Sequence, residues 1–140
     1  MAIRKQEFYE GAALHKLIRE GAVPGIRYVA PFFIVADRLF LYLKYSTKNR
    51  SPWGFTFTPE EQLVLTTNGR DRELVIGLVC GADGIAALSY EDYQTLVRPA
   101  AAAVHIACYR SHNEHYEVNG PDGQLAGKIA PSRWQRTLER

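Results

Sequence analysis

The segment "FFIVADRLFLYLKYSTKNRSPWGFTFT", Phe32 to Thr58, decides the fold. In its centre Leu39, Leu41, Leu43 and Tyr45 fall on one face of an extended chain. Phe40, Tyr42, Lys44 and Ser46 fall on the other. Apolar residues on both faces describe a central strand covered on two sides. A tight reversal near Asp37 and Arg38 joins it to the preceding run "IRYVAPFFIVA", read as one strand in which Pro31 marks a bulge or an edge. "GFTFT" reads as a short third strand. Lys44 is the anomaly: a cation set in a strand whose neighbours belong in a core.

Outward from this segment, residues Lys5 to Glu20 carry apolar side chains near helical spacing, with Gly21 as the stop and a turn at Pro24-Gly25. Thr58-Pro59-Glu60-Glu61 is the strongest local signal. Thr58 fits an N-cap, Pro59 the first helical position and Glu61 the third residue of a capping box, which predicts a helix to about Thr67. "ELVIGLVC" and "IAALSY" flank Gly81–Gly84 as a β-hairpin. Ser89 caps a helix through "YEDYQTLV" that ends before Pro99. Strands "AVHIACYR", "HYEV" and "QLAGKIA" follow. The expected class is α/β (α+β): a single domain over residues 1–140, with a mixed central β-sheet, β-hairpins and about three flanking helices.

Composition sets the bounds. A chain of 140 residues that is 46% hydrophobic and 23% charged is long enough for a core and too apolar for disorder. No apolar run reaches the roughly 18 residues of a membrane helix, and "MAIRKQEFYE" has no signal-like apolar stretch, so the expectation is a cytoplasmic protein with no membrane partner. Cys80 and Cys108 both lie in apolar runs and read as core thiols of a reducing compartment; a disulfide between them is not demanded. The net charge of +2 is small, so any nucleic-acid surface must be a local patch.

The order of a helix with an acid, a hairpin with an aspartate at its turn, a strand with a lysine, a capped helix and a further strand resembles the restriction-endonuclease-like superfamily, PD-(D/E)XK. The resemblance covers roughly the first 80 residues. It implies Asp37 as the first acid, Lys44 as the lysine that orients the attacking water, and Glu10 of "FYEGAAL" as the helix glutamate. Glu10 and Asp37 would then hold Mg²⁺ for phosphodiester hydrolysis. The pattern's second acid falls at residue 42, which here is Tyr42, and a neutral phenol is no substitute for a carboxylate ligand. The resemblance therefore implies a degenerate nuclease core or a site rebuilt from Glu10 and Asp37. The bland readings are a turn aspartate, a lysine reaching solvent along apolar neighbours, and a solvated helix glutamate.

Two further constellations stand out. Lys44, Lys48, Arg50 and Trp53, with Arg38 nearby, offer phosphate contacts and a base-stacking ring; Arg133, Trp134, Arg136 and Arg140 add a second basic and aromatic cluster. His105, Cys108, His112 and His115 are zinc-ligand types. A strand sends His105 and Cys108 to opposite faces, however, and zinc is the weaker reading. The expected function is thus a nucleic-acid-associated protein with a nuclease-like core. Its competitor is a non-enzymatic protein-interaction or accessory module, oligomeric, which the 11% aromatic content and the missing second acid favour.

Overall fold

The computed structural model describes residues 2–20 and 25–137. The expected stops and turn at Gly21 and Pro24, and the terminal Arg140, lie outside the described residues. Thirteen elements follow one another: α1 (Lys5–Glu20), β1 (Ile26–Val29), β2 (Phe32–Val35), β3 (Leu39–Ser46), β4 (Trp53–Phe57), α2 (Pro59–Gly69), β5 (Glu73–Cys80), β6 (Gly84–Ser89), α3 (Tyr90–Leu96), β7 (Val104–Tyr109), β8 (Glu117–Gly120), β9 (Gly123–Gln124) and α4 (Arg133–Arg136). The mixed α+β class is as expected. The strands divide into two sheets, with order β1-β2-β3-β5-β6 in the first and β4-β7-β8-β9 in the second. No described helix is long and apolar enough to cross a membrane.

Strand β3 is central, antiparallel to β2 on one side and parallel to β5 on the other. Its alternation sorts two cores. Leu39, Leu41 and Leu43 meet Ala13 and Leu17 of α1 and Trp134 of α4 on one face. Tyr42 joins Phe32, Ile76, Leu88, the inner face of the second sheet and the buried sides of α2 and α3 on the other. The layers are therefore helices α1 and α4, the five-stranded sheet, then the four-stranded sheet with α2 and α3. The second sheet alternates cleanly. Trp53, Phe55 and Phe57 point inward and Gly54 and Thr56 outward, as expected for a sheet with one solvated face.

Local chemistry explains the punctuation. Thr58 and Glu61 exchange the two hydrogen bonds of a capping box at the start of α2, and Ser89 and Asp92 do the same for α3. The run "IRYVAPFFIVA" is not one strand but the hairpin β1–β2. Pro31 has no N–H to give a ladder, and the chain reverses at Ala30-Pro31. The second reversal places Ala36 and Asp37 at φ of 56° and 53°, the left-handed region in which aspartate is tolerated better than most residues. "QLAGKIA" contributes only Gln124 to a strand, β9, while Ile129 bridges Tyr116 separately.

Helix α4 is absent from the sequence reading, which took its segment for a basic surface. Trp134 is instead fully buried and donates its indole N–H to the Ala13 carbonyl of α1 at 2.9 Å. Gly77 of β5 makes room: a Cβ there would stand 3.0 Å from the Trp134 ring and 2.8 Å from Leu43. The indole therefore rests against the strand and joins the last described helix to the first. Trp134→Ala should lower the unfolding free energy by about 3–5 kcal/mol in urea titrations. A loss below about 1 kcal/mol would mean that this corner repacks around the deletion.

Candidate functional site

Lys44 does not run free to solvent. Its ammonium donates to both carboxylate oxygens of Glu61, at 2.8 Å and 3.1 Å, with its charge 5.2 Å from the centre of the Phe57 ring. Tyr42, two residues earlier on the same strand face, donates its O–H to Glu61 Oε2. The backbone N–H of Thr58 donates to Glu61 Oε1 at 3.1 Å. One carboxylate thus gathers donors from β3 and from the first turn of α2. The side chains of Lys44 and Glu61 are only 21% and 22% exposed.

Burial by itself would raise the Glu61 carboxyl. The hydrogen bonds from Lys44, Tyr42 and Thr58, together with the Lys44 charge, outweigh it and hold the group below its ordinary 4.5. Tyr42 moves the other way: burial first, then the bond to Glu61 and its negative charge, push the phenol far above its usual range. The phenol stays a neutral donor. A carboxylate offers about four lone-pair directions, and here four donor contacts fill them. Glu61 therefore has no free lone pair for a metal and no tendency to take a proton at neutral pH. Chemically this is a clamp that fixes α2 to β3.

The residues named from sequence are placed separately. Asp37 is 83% exposed at the β2–β3 turn and accepts from Arg27 at 3.0 Å. Lys44 stands five residues beyond Leu39 along an extended strand, so about 16 Å separates those two positions, and Asp37 lies on the near side of Leu39. Glu10, on α1, accepts from the Gln6 amide at 2.8 Å. Its charge still reaches the Tyr42 phenol, as the weakest influence upon it. Asp37, tied to Arg27 at the turn before β3, does not reach the Lys44 ammonium, so Asp37, Lys44 and Glu10 do not assemble as the Mg²⁺ site that the resemblance implies. The acid that meets Lys44 is Glu61, which the sequence marked as a helix cap and not as a strand partner.

Arg38 pairs with Glu73. Lys48 and Arg50 are exposed on the loop after β3. Trp53 corrects its expectation: it is 2% exposed and its indole N–H donates to the Lys48 carbonyl at 3.1 Å, so it presents no face for base stacking. A strand beginning with an inward residue buries it, and the alternation of "WGFTF" carries that signal. His105 faces outward and shares a hydrogen bond with Thr56 at 2.9 Å, while Cys108 faces the core with its sulfur 3.8 Å from that of Cys80; both thiols are free. His112 and His115 are exposed. Among the described residues no three His, Cys, Asp or Glu side chains cluster as metal ligands. Comparison of the chain with protein-family models, with curated proteins and with solved structures gives no match.

The clamp sets a pH dependence. A depressed native carboxyl contributes stability that is present above its unfolded value and is lost as the pH falls through the native one. Glu61→Gln should lower the unfolding free energy at pH 7 by about 1–3 kcal/mol. The gap from wild type should close as the pH drops below 4.5. Urea titrations at pH 7 and pH 3 read this directly, and an equal gap at both would remove the charge of Glu61 as the cause.

Proposed function

We propose that this protein is a non-enzymatic interaction module that assembles as a two-fold dimer through the outer edge of β1. The carrying observation is where apolar surface is left open. Among the described residues, Ile3, Phe8, Ile18, Tyr28 and Val29, five of the seven large exposed hydrophobic side chains, belong to the α1–β1 end of the molecule. Clustered apolar exposure marks association surfaces.

The edge has the geometry for strand pairing. Ala36 N–H donates to the Gly25 carbonyl at 2.9 Å, so Gly25 and alternate residues after it face β2. Ile26 and Tyr28 accordingly turn their N–H and C=O outward, where no described strand pairs with them. Beside this edge runs a groove of about 740 Å³ between α1 and the hairpin, lined by Glu10, Gly11, Leu14, Tyr28 and Phe33 among others. Tyr28 packs on Phe33 there at 4.8 Å between ring centres.

A second copy is the occupant that the register favours. Opposed side chains in an antiparallel pair share a face, so a two-fold axis normal to the sheet passes through a residue and not between two. Centred on Arg27, it sets like charges against each other, which destabilises the pair. Centred on Tyr28, it pairs the two tyrosine rings and places Arg27 against the partner's Val29. Aromatic cross-strand pairs are stabilising. The joined sheet would bring the two α1 helices together on one face, each with Phe8 exposed.

Light scattering on size-exclusion fractions should give twice the mass of one chain. Tyr28→Lys, which adds a charge to an edge strand, should weaken association by about 100-fold or more with an unchanged circular dichroism spectrum. A wild-type protein that stays at one chain's mass at about 100 μM, a concentration that populates even a weak dimer, would end this reading.

A second reading, nucleic-acid association, is favoured by one observation. Lys48 and Arg50 lie exposed on one loop, without a carboxylate partner among the described residues. Such binding would be strongly salt-dependent. A gel shift unchanged in the double Lys48→Ala, Arg50→Ala variant would remove it.

A further inference from the structure

A cleft lies between α2 and α3. It encloses about 230 Å³, and its walls include Arg70, Arg98, Tyr90, Tyr93, Gln94 and Val97, with no acidic side chain among them. Neither arginine has a carboxylate partner among the described residues, whereas Arg27, Arg38, Arg110 and Arg133 each have one. Two guanidiniums left unpaired beside the same small cavity create a positive field directed at whatever enters it. The adjoining groove shares Arg70, Tyr90 and Gln94 and does contain acids. There Asp92 is taken by Arg133 and by the α3 cap and Glu73 by Arg38, while Glu91 lines that groove and not the cleft.

Behind the wall of the cleft lies an unanswered donor. Tyr93 is 3% exposed, and its hydroxyl has no hydrogen-bond partner among the described residues. A ligand in the cleft would therefore meet the ring of Tyr93 and not its hydroxyl. Tyr90 stacks on Tyr93 at 6.3 Å between ring centres, inclined by 19°, and gives a planar apolar wall.

The walls are held in place. The buried amide of Gln62 donates to the carbonyls of Phe57 and Ala102 and accepts from the Ala100 N–H, which ties the segment after α3 to α2. The backbone N–H of Arg98 donates to Asp122 at 2.7 Å. Gly69, at the end of α2, sits so close beneath the Tyr90 ring that a Cβ would collide with it. Arg70 and Arg98 are therefore presented from backbone that is already fixed, and binding would not require either wall to be built.

We propose that this cleft binds a small organic anion, a phosphate or carboxylate on an aromatic or apolar body. The charged head would lie between Arg70 and Arg98, whose planar forks match both oxyanions, and the body against Tyr90 and Val97. The volume is below the range usual for larger ligands, which fits a single ring and one anionic group. This site is on the opposite side of the five-stranded sheet from α1, and the proposal does not rest on the dimer.

The test is a ¹⁵N–¹H NMR titration of the full chain with phenyl phosphate and benzoate, and with benzyl alcohol as the neutral control. Expected are saturating shifts of amides on α2 and α3 with one or both anions, and little with the alcohol. If phenyl phosphate alone binds, the ligand head is a phosphate; if benzoate does so equally, it is an oxyanion in general. Arg70→Ala and Arg98→Ala, both at exposed positions, should each weaken binding about tenfold, the scale of one charge-assisted hydrogen bond. Tyr93→Phe is the control for fold: it should leave binding unchanged and the thermal midpoint at or above wild type, because it removes an unpaired buried hydroxyl behind the cleft wall. No saturating shift in the cleft at about 10 mM of either anion, a response to benzyl alcohol equal to that of the anions, or unchanged affinity in both arginine variants would overturn the proposal.

Discussion

The Glu61 carboxylate is the interaction on which the rest of the arrangement depends. It lies where the chain leaves the second sheet through β4 and returns to the first through α2 and β5. With one side chain it completes the cap of α2, takes the ammonium of Lys44 and receives the phenol of Tyr42. A cation and a phenol in a strand covered on both faces would be costly if left unpaired. Paired with Glu61, they fix how α2 crosses the sheet, and with it where β5 can lie parallel to β3. A network of this kind is stabilising only when every member is satisfied, and here each donor has its acceptor.

That saturation bears on two interpretations of the same residues. A half-buried lysine paired with an acid is material for a hydrolytic site. Catalysis, however, needs a lone pair or a proton that is free to move, and Glu61 has neither to spare. Its carboxyl is held down while the Tyr42 phenol is held up, so the proton stays on the phenol and the charge on the carboxylate. The acids expected to share a metal instead have their own partners, Asp37 with Arg27 and Glu10 with Gln6. What remains open on the molecule is surface: an apolar edge at α1 and β1 and an arginine-lined cleft at α2 and α3. These lie on opposite sides of the five-stranded sheet, so one could be occupied without obstructing the other.

Much of the fold was legible because its signals are local. Thr58-Pro59-Glu60-Glu61 and Ser89 through Asp92 each contain a whole capping box within four residues, and both caps form. Strand parity assigned Leu39, Leu41 and Leu43 to one core and Tyr42 to the other, as the packing has it. The misreadings have a common cause. Pro31 reads as a bulge or an edge, and although β1 is the edge of its sheet, a bulge and a hairpin look alike until the pairing partner is known. Trp53 and Trp134 were read with their basic neighbours, yet burial depends on what the chain brings from elsewhere: Cys108 opposite Trp53 on β7, and Ala13 from 121 residues away for Trp134.

The sequence by itself determined the first three helices, the caps of α2 and α3 and the two-faced character of β3. These follow from periodicity and from hydrogen bonds between residues a few positions apart. Only the tertiary structure decided that the strands form two sheets, that α4 closes onto α1, and that the acid opposite Lys44 is Glu61. The partner of a charged side chain is chosen by approach in space, and the separation of 17 positions between Lys44 and Glu61 carries no local trace of it.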